Sequence, residues 1–128
     1  MNKLKLFVLI LSSQFLNSQS IIGAWEKYET NSDGSTHRHV VIFSEGFKST
    51  SVFDSSNGKF ISTNGGSWFL DGSTLTEKIE FDTRDQEKVG STIKFELDIK
   101  DNTVTNINSG NTWNRIDDGG PGQLNGAW

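Results

Sequence analysis

From Ile22 onward, turn chemistry interrupts this chain about every 8 to 12 residues, and that spacing leaves room only for short strands. The turns are Asn31-Ser32-Asp33-Gly34, Glu45-Gly46, Asn57-Gly58, Asn64-Gly65-Gly66, Asp71-Gly72, Lys100-Asp101-Asn102 and Ser109-Gly110-Asn111. Gly and Asn accept the positive φ that tight hairpin connections demand. Strand-forming runs lie between them at residues 24–29, 37–44, 47–54, 59–63, 67–70, 74–83, 91–100, 103–107 and 112–116. Connections this short make consecutive strands antiparallel neighbours. Eight or nine such strands in sequential order form a meander, which loses its exposed edges by closing on itself. The expected fold is therefore all-β, an up-and-down antiparallel β-barrel.

Composition narrows the function classes. With 9 Phe and 4 Trp the chain is too aromatic for a disordered tail, and 13 Gly punctuate it too often for a helical bundle. The count of 0 Cys removes disulfides, thiolate nucleophiles, thiolate-held zinc and lipidation of a cysteine. A net charge of −4 without a basic patch argues against a nucleic-acid partner.

Residues 1–20 pass from Lys3 and Lys5 through an apolar run at 6–11 to small polar residues at Ser18 and Ser20, the order of a secretory signal. Ser12, Ser13 and Gln14 interrupt the apolar run too early for it to persist as a membrane-spanning helix. Export to the periplasm, the outer surface or the medium is expected, with no transmembrane segment after removal of the leader. At the other end, Gln123-Leu124-Asn125-Gly126-Ala127-Trp128 echoes Ile21-Ile22-Gly23-Ala24-Trp25, and Asp117-Asp118-Gly119-Gly120-Pro121-Gly122 before it has linker composition. The expected division is a signal peptide at 1–20, a barrel at 21–117, and at 118–128 a linker with the start of a truncated second repeat, which implies a second barrel domain in the full-length protein.

Strand alternation indicates what the barrel encloses. In 92–99, Ile93, Phe95, Leu97 and Ile99 share the inward face, while Lys94, Glu96 and Asp98 face water. The run 74–82 repeats this with Leu75, Ile79 and Phe81 inward, but Glu77 shares their face. A carboxylate in an apolar interior requires a partner such as a barrel Arg or Lys, or a place at a hydrated ligand cavity. Phe47, Ser49, Ser51 and Phe53 form a second, mixed face that would wall a cavity with aromatic and hydroxyl groups.

Gly23-Ala24-Trp25 stands at the entrance to the first strand, and Trp113-Asn114-Arg115 lies on the last. The pair resembles the lipocalin and calycin pattern, in which a G-x-W tryptophan closes one end of the barrel beneath an arginine of the final strand. That resemblance implies a closing role for Gly23, Trp25 and Arg115. The segments Phe43-Ser44-Glu45-Gly46-Phe47, Gly58-Lys59-Phe60-Ile61, Asn64-Gly65-Gly66-Ser67-Trp68, residues 71–81, Lys88-Val89-Gly90-Ser91 and Thr112-Trp113-Asn114-Arg115 resemble small exported lipocalin-like proteins of Gram-negative bacteria, often known only as membrane or secreted proteins. A T-E-x-I-E-F strand recurs among them, and tandem barrels are common. The resemblance implies fold and export; a small apolar or amphipathic ligand inside the barrel follows only from the architecture. The interior candidates are Glu77, Phe47, Ser49, Phe53, Ile79, Phe81, Phe95 and Leu97, with no cofactor. The competing reading is a structural or protein-interaction module at the cell surface whose barrel is filled with side chains.

His37 and His39 share one strand face at a spacing used by metal sites, but two ligands do not close a site. No G-x-S-x-G motif, phosphate-cradling loop or nucleophile with its base is present, and Glu77 and Glu80 fall on opposite faces, so they cannot act as a glycosidase pair. Binding rather than catalysis is expected.

Overall fold

The computed structural model describes residues 20–118; all but the last residue of the expected signal peptide at 1–20, and nearly all of the expected linker and repeat start at 118–128, lie outside the described residues. Among the described residues nine strands are formed: β1 (Gly23–Thr30), β2 (Thr36–Phe43), β3 (Phe47–Asp54), β4 (Phe60–Asp71), β5 (Thr74–Lys78), β6 (Phe81–Asp82), β7 (Thr92–Ile99), β8 (Thr103–Asn106) and β9 (Thr112–Arg115), with one 3-10 turn at Gln86–Lys88. Each pairing is antiparallel, from β1–β2 through β4–β5, then β5–β7, β7–β8, β8–β9 and finally β9 back onto β1. Eight strands thus close a barrel, and β6 is an extra strand lying along the first half of β4. The long strands divide their partners. The start of β7 pairs with β5 and its end with β8, a stagger that tilts the strands around the barrel.

Inward side chains follow the alternation expected for β7, with Leu97 buried, Phe95 and Ile99 packed against the core, and Lys94 and Asp98 exposed. The core joins Ile21, Trp25, Val41, Phe43, Leu75, Leu97 and Val104, flanked by Trp68, Leu70, Phe95, Ile99 and Trp113. Every wall of the barrel except β3 and β6 contributes.

Three features differ from the pattern of the sequence. Asn64-Gly65-Gly66 is not a hairpin turn: β4 runs through it as one strand of 12 residues. The glycines serve close backbone approach, since a Cβ on Gly65 would lie 2.2 Å from the Lys48 carbonyl oxygen and one on Gly66 1.9 Å from that of Lys78. The run 74–83 is also broken. Trp68 pairs with Glu77 but Gly65 pairs with Phe81, so the offset between the strands changes by one residue across Ile79 and Glu80. This is a β-bulge, and it reverses the facing of everything beyond it. Phe81, expected inside, is 41% exposed and lies over Gly65 on the outer surface, while Asp82 turns inward and is buried. Finally, β3 has the opposite phase to that expected: Lys48, Thr50 and Val52 pair with the inward Gly66, Asn64 and Ser62. Phe47, Ser49 and Phe53 consequently face outward, with Phe47 52% exposed and Phe53 edge-on to Phe60 at 6.0 Å.

The seam between β1 and β9 is narrow, with Trp25 opposite Arg115 and Glu26 opposite Asn114. Side chains reinforce it. The Arg115 guanidinium lies 4.0 Å from the Trp25 ring centroid and donates to the carbonyl oxygens of Ser20, Ile22 and Asp101 and to Asp117 Oδ1. Trp25 Nε1 donates to the Ile21 carbonyl at 2.8 Å, so the buried indole leaves no donor unsatisfied. Gly23 is required beneath this clasp, because a Cβ there would stand 2.5 Å from Arg115 Nη1.

The bulge can be tested at its tightest point. Gly66→Ala places a methyl group against the rigid Lys78 carbonyl and is expected to destabilise the fold by about 3 kcal/mol. Urea unfolding measures this; an unchanged midpoint would mean that β4 and the bulge do not approach so closely.

Candidate functional site

The barrel interior holds a half-open cavity of about 150 Å³ above Trp25. Val41 and Phe43 from β2, Leu75 from β5, Phe95 and Leu97 from β7, Val104 from β8 and Trp113 from β9 make its walls. These residues converge because they are successive inward positions on staggered strands. Polar groups enter at two places: Lys48 and Thr50 from β3, and Asn106, Ser109 and Asn111 at the β8 end and in the loop leading to β9.

Lys48 is there because Glu77 is. Glu77 is 1% exposed, and its Oε2 accepts from Lys48 Nζ at 2.6 Å. On the sheet, Lys48 is paired with Gly66 of β4, and Glu77 of β5 is paired with Trp68 of the same β4, so the lysine stem crosses β4 on the inner face to reach the carboxylate. The second carboxylate oxygen, Oε1, is buried without a hydrogen-bond partner among the described residues. Lys48 Nζ also lies 6.0 Å from the Phe43 ring centroid, toward the cavity. The arrangement is a neutral ion pair whose cationic end meets the cavity and whose anionic end is sealed in the wall.

Of the residues proposed from sequence, Phe95 and Leu97 line the cavity, Glu77 stands behind it through Lys48, and Ile79 is buried outside the main core cluster. Phe47, Ser49, Phe53 and Phe81 do not reach it. Lys48 and Thr50 were missed because the sequence Phe47-Lys48-Ser49-Thr50-Ser51-Val52-Phe53 has no clear polar face; the inward Glu77, which demands a cation on a neighbouring wall, was the available signal. Trp25, Gly23 and Arg115 occupy the closed base.

A separate polar cluster stands on the inward face of β1 and β2. Glu29 Oε2 accepts from Lys27 Nζ at 3.0 Å and lies 3.5 Å from His39 Nε2. The His39 ring meets Trp113 edge-on at 6.2 Å, and Lys27 Nζ lies 5.3 Å from the same indole. The hydrogen bond from Lys27 lowers the Glu29 carboxyl below its ordinary range. Burial, seconded by the Lys27 ammonium, lowers His39 below the usual imidazole value of 6.5, and Glu29 only partly opposes this. Among the described residues, no group of three or more His, Asp or Glu side chains is placed to hold a metal ion.

On the outer face, Tyr28, Arg38 and Phe53 form one cross-strand row beside a groove of about 370 Å³. Although this groove is larger, its lining is nearly as polar as it is apolar, and Arg38 Nε is committed to Glu26 Oε2 at 2.6 Å. The interior cavity, whose walls are mostly apolar, is the stronger ligand site.

Comparison with known proteins returned no match, whether to a family model, a curated protein or a solved structure. The chemistry of the site is therefore read from its own side chains.

Two outcomes are expected. Lys48→Met strands a buried carboxylate and should lower unfolding free energy by about 3 kcal/mol, whereas Lys48→Met combined with Glu77→Leu should recover most of that loss, since apolar groups of similar volume replace the whole pair. Equal losses in the single and double variants, measured by urea unfolding, would contradict the pairing. For His39, the unfolded chain gains a proton near pH 6.5 that the folded chain takes up only at lower pH, so its contribution is complete above that value and declines as pH falls. Thermal melts from pH 7.5 downward should therefore fall less steeply in His39→Gln than in the parent; identical slopes would remove His39 from the pH response.

Proposed function

We propose that this chain is an exported, lipocalin-like barrel that binds a small, partly apolar molecule in its interior. The observation that carries the reading is a half-open interior cavity of about 150 Å³ with mostly aromatic and aliphatic walls and an ammonium group, above a base closed by Trp25 and Arg115. A cavity of this order holds a single ring or a short chain rather than a whole lipid. Export rests on the residue order of 1–20, and the lipocalin-like assignment rests on Gly23-Ala24-Trp25 with Arg115 across the closing seam. Binding without catalysis is favoured because, among the described residues, the one charged group at the cavity, Lys48, is already neutralised by Glu77 and stands beside no nucleophile with its own base.

The alternative is a protein-interaction module, favoured by apolar side chains turned outward on neighbouring strands: Ile42 at 53%, Phe47 at 52% and Phe69 at 61% exposure. Native mass spectrometry of the exported protein distinguishes the two. A co-purifying mass of one small organic molecule, lost from a variant with the cavity filled by Val104→Phe, supports interior binding. A bare protein that also fails to be stabilised by small aromatic compounds would favour the surface module.

A further inference from the structure

We propose that the interior ligand is an uncharged compact molecule whose hydrogen-bond acceptor docks on Lys48 Nζ, and that the Lys48–Glu77 pair bars ions of either sign. This deepens the interior-binding reading and rests on it. Among the described residues lining the cavity, Lys48 is the one charged side chain; Thr50 stands beside it on β3, the Phe43 ring centroid lies 6.0 Å from its Nζ, and most of the remaining wall is apolar. An ammonium has more donors than Glu77 Oε2 takes at 2.6 Å, so a carbonyl or hydroxyl oxygen entering the cavity meets a charged donor already held in place.

The sign of the ligand's charge follows from Glu77. A cation entering the cavity meets the Lys48 ammonium directly. An anion must shed part of its hydration to enter a half-open, mostly apolar cavity and must share Lys48 with a carboxylate that is 1% exposed and cannot withdraw to solvent. Among the described residues Glu77 Oε1 has no hydrogen-bond donor, so Lys48 is the group that holds this carboxylate. A neutral acceptor escapes both penalties: it accepts from Lys48 while the ion pair stays intact. Glu77 is thus a positioning residue that holds Lys48 and tunes it toward neutral ligands.

Toluene, phenol and benzoate share one ring and separate the possibilities. Titrated into the protein at neutral pH and followed by NMR chemical shifts of cavity residues, phenol should bind, toluene should bind, and benzoate should bind at least about tenfold more weakly than phenol. In the paired variant Lys48→Met with Glu77→Leu, the affinity for phenol relative to toluene should fall roughly tenfold, the loss expected for one hydrogen bond to a charged donor. Benzoate binding as tightly as phenol, or a phenol-to-toluene ratio unchanged in the paired variant, would overturn the proposal while leaving the cavity a ligand site. Binding of none of the three probes, toluene included, would overturn the interior-binding reading itself and this proposal with it.

Discussion

The barrel depends on a seam that is short in backbone terms and is completed by one side chain. β1 and β9 share few paired positions, and the strands on either side of them would otherwise form an open, twisted sheet with two unsatisfied edges. Arg115 bridges the gap because a guanidinium is planar and carries a fork of donors: its face covers Trp25 while its edge ties down carbonyls of the segment before β1 and the turn before β8. Lysine, with a compact ammonium, supplies neither the stacking nor the fork. Closure places Trp25 as the floor of the interior, and every inward residue on the other strands takes its position from that floor.

A closed barrel still has to fill its inside, and here it does so unevenly. Aliphatic and aromatic side chains pack around Trp25, while Lys48 and Glu77 interpose an ion pair beyond Leu75 on the β3 and β5 walls. A buried ion pair returns little net stability compared with apolar side chains of the same volume. Its presence in a small barrel without disulfides is better understood through the cavity beside it, where the pair offers a fixed donor that an apolar wall lacks. The β-bulge at Ile79 and Glu80 belongs to the same arrangement: it keeps Glu77 inside, yet turns Phe81 out across Gly65 and brings Asp82 in.

Much of this was legible in the chain. Turn residues marked most hairpins because their backbone requirements are local, and the alternation of β7 reported its buried face because Ile93, Phe95, Leu97 and Ile99 contrast sharply with the charges between them. Glu77 stood out for the same reason, as a charge in an apolar register. Phe47, Ser49, Phe53 and Phe81 were misplaced because their orientation is set by partners distant in sequence. For β3, both faces mix polar and apolar groups, and the decision falls to Glu77, 29 positions beyond Lys48. For Phe81, one inserted residue reverses the facing, and a bulge leaves no mark on the alternation that precedes it.

The amino-acid sequence by itself determined that the chain folds as an all-β meander, that Trp25 and Arg115 stand on its first and last strands, and that a carboxylate enters the core. These are consequences of local turn geometry and of the two-residue period of a strand. Tertiary structure alone decided that Asn64-Gly65-Gly66 is the interior of a strand, that Lys48 turns inward to meet Glu77, and that about 150 Å³ stays unfilled between aromatic walls. Each of these depends on how closely backbones from different parts of the chain approach and on which charge must be neutralised where water is excluded, and neither quantity exists until the barrel has closed.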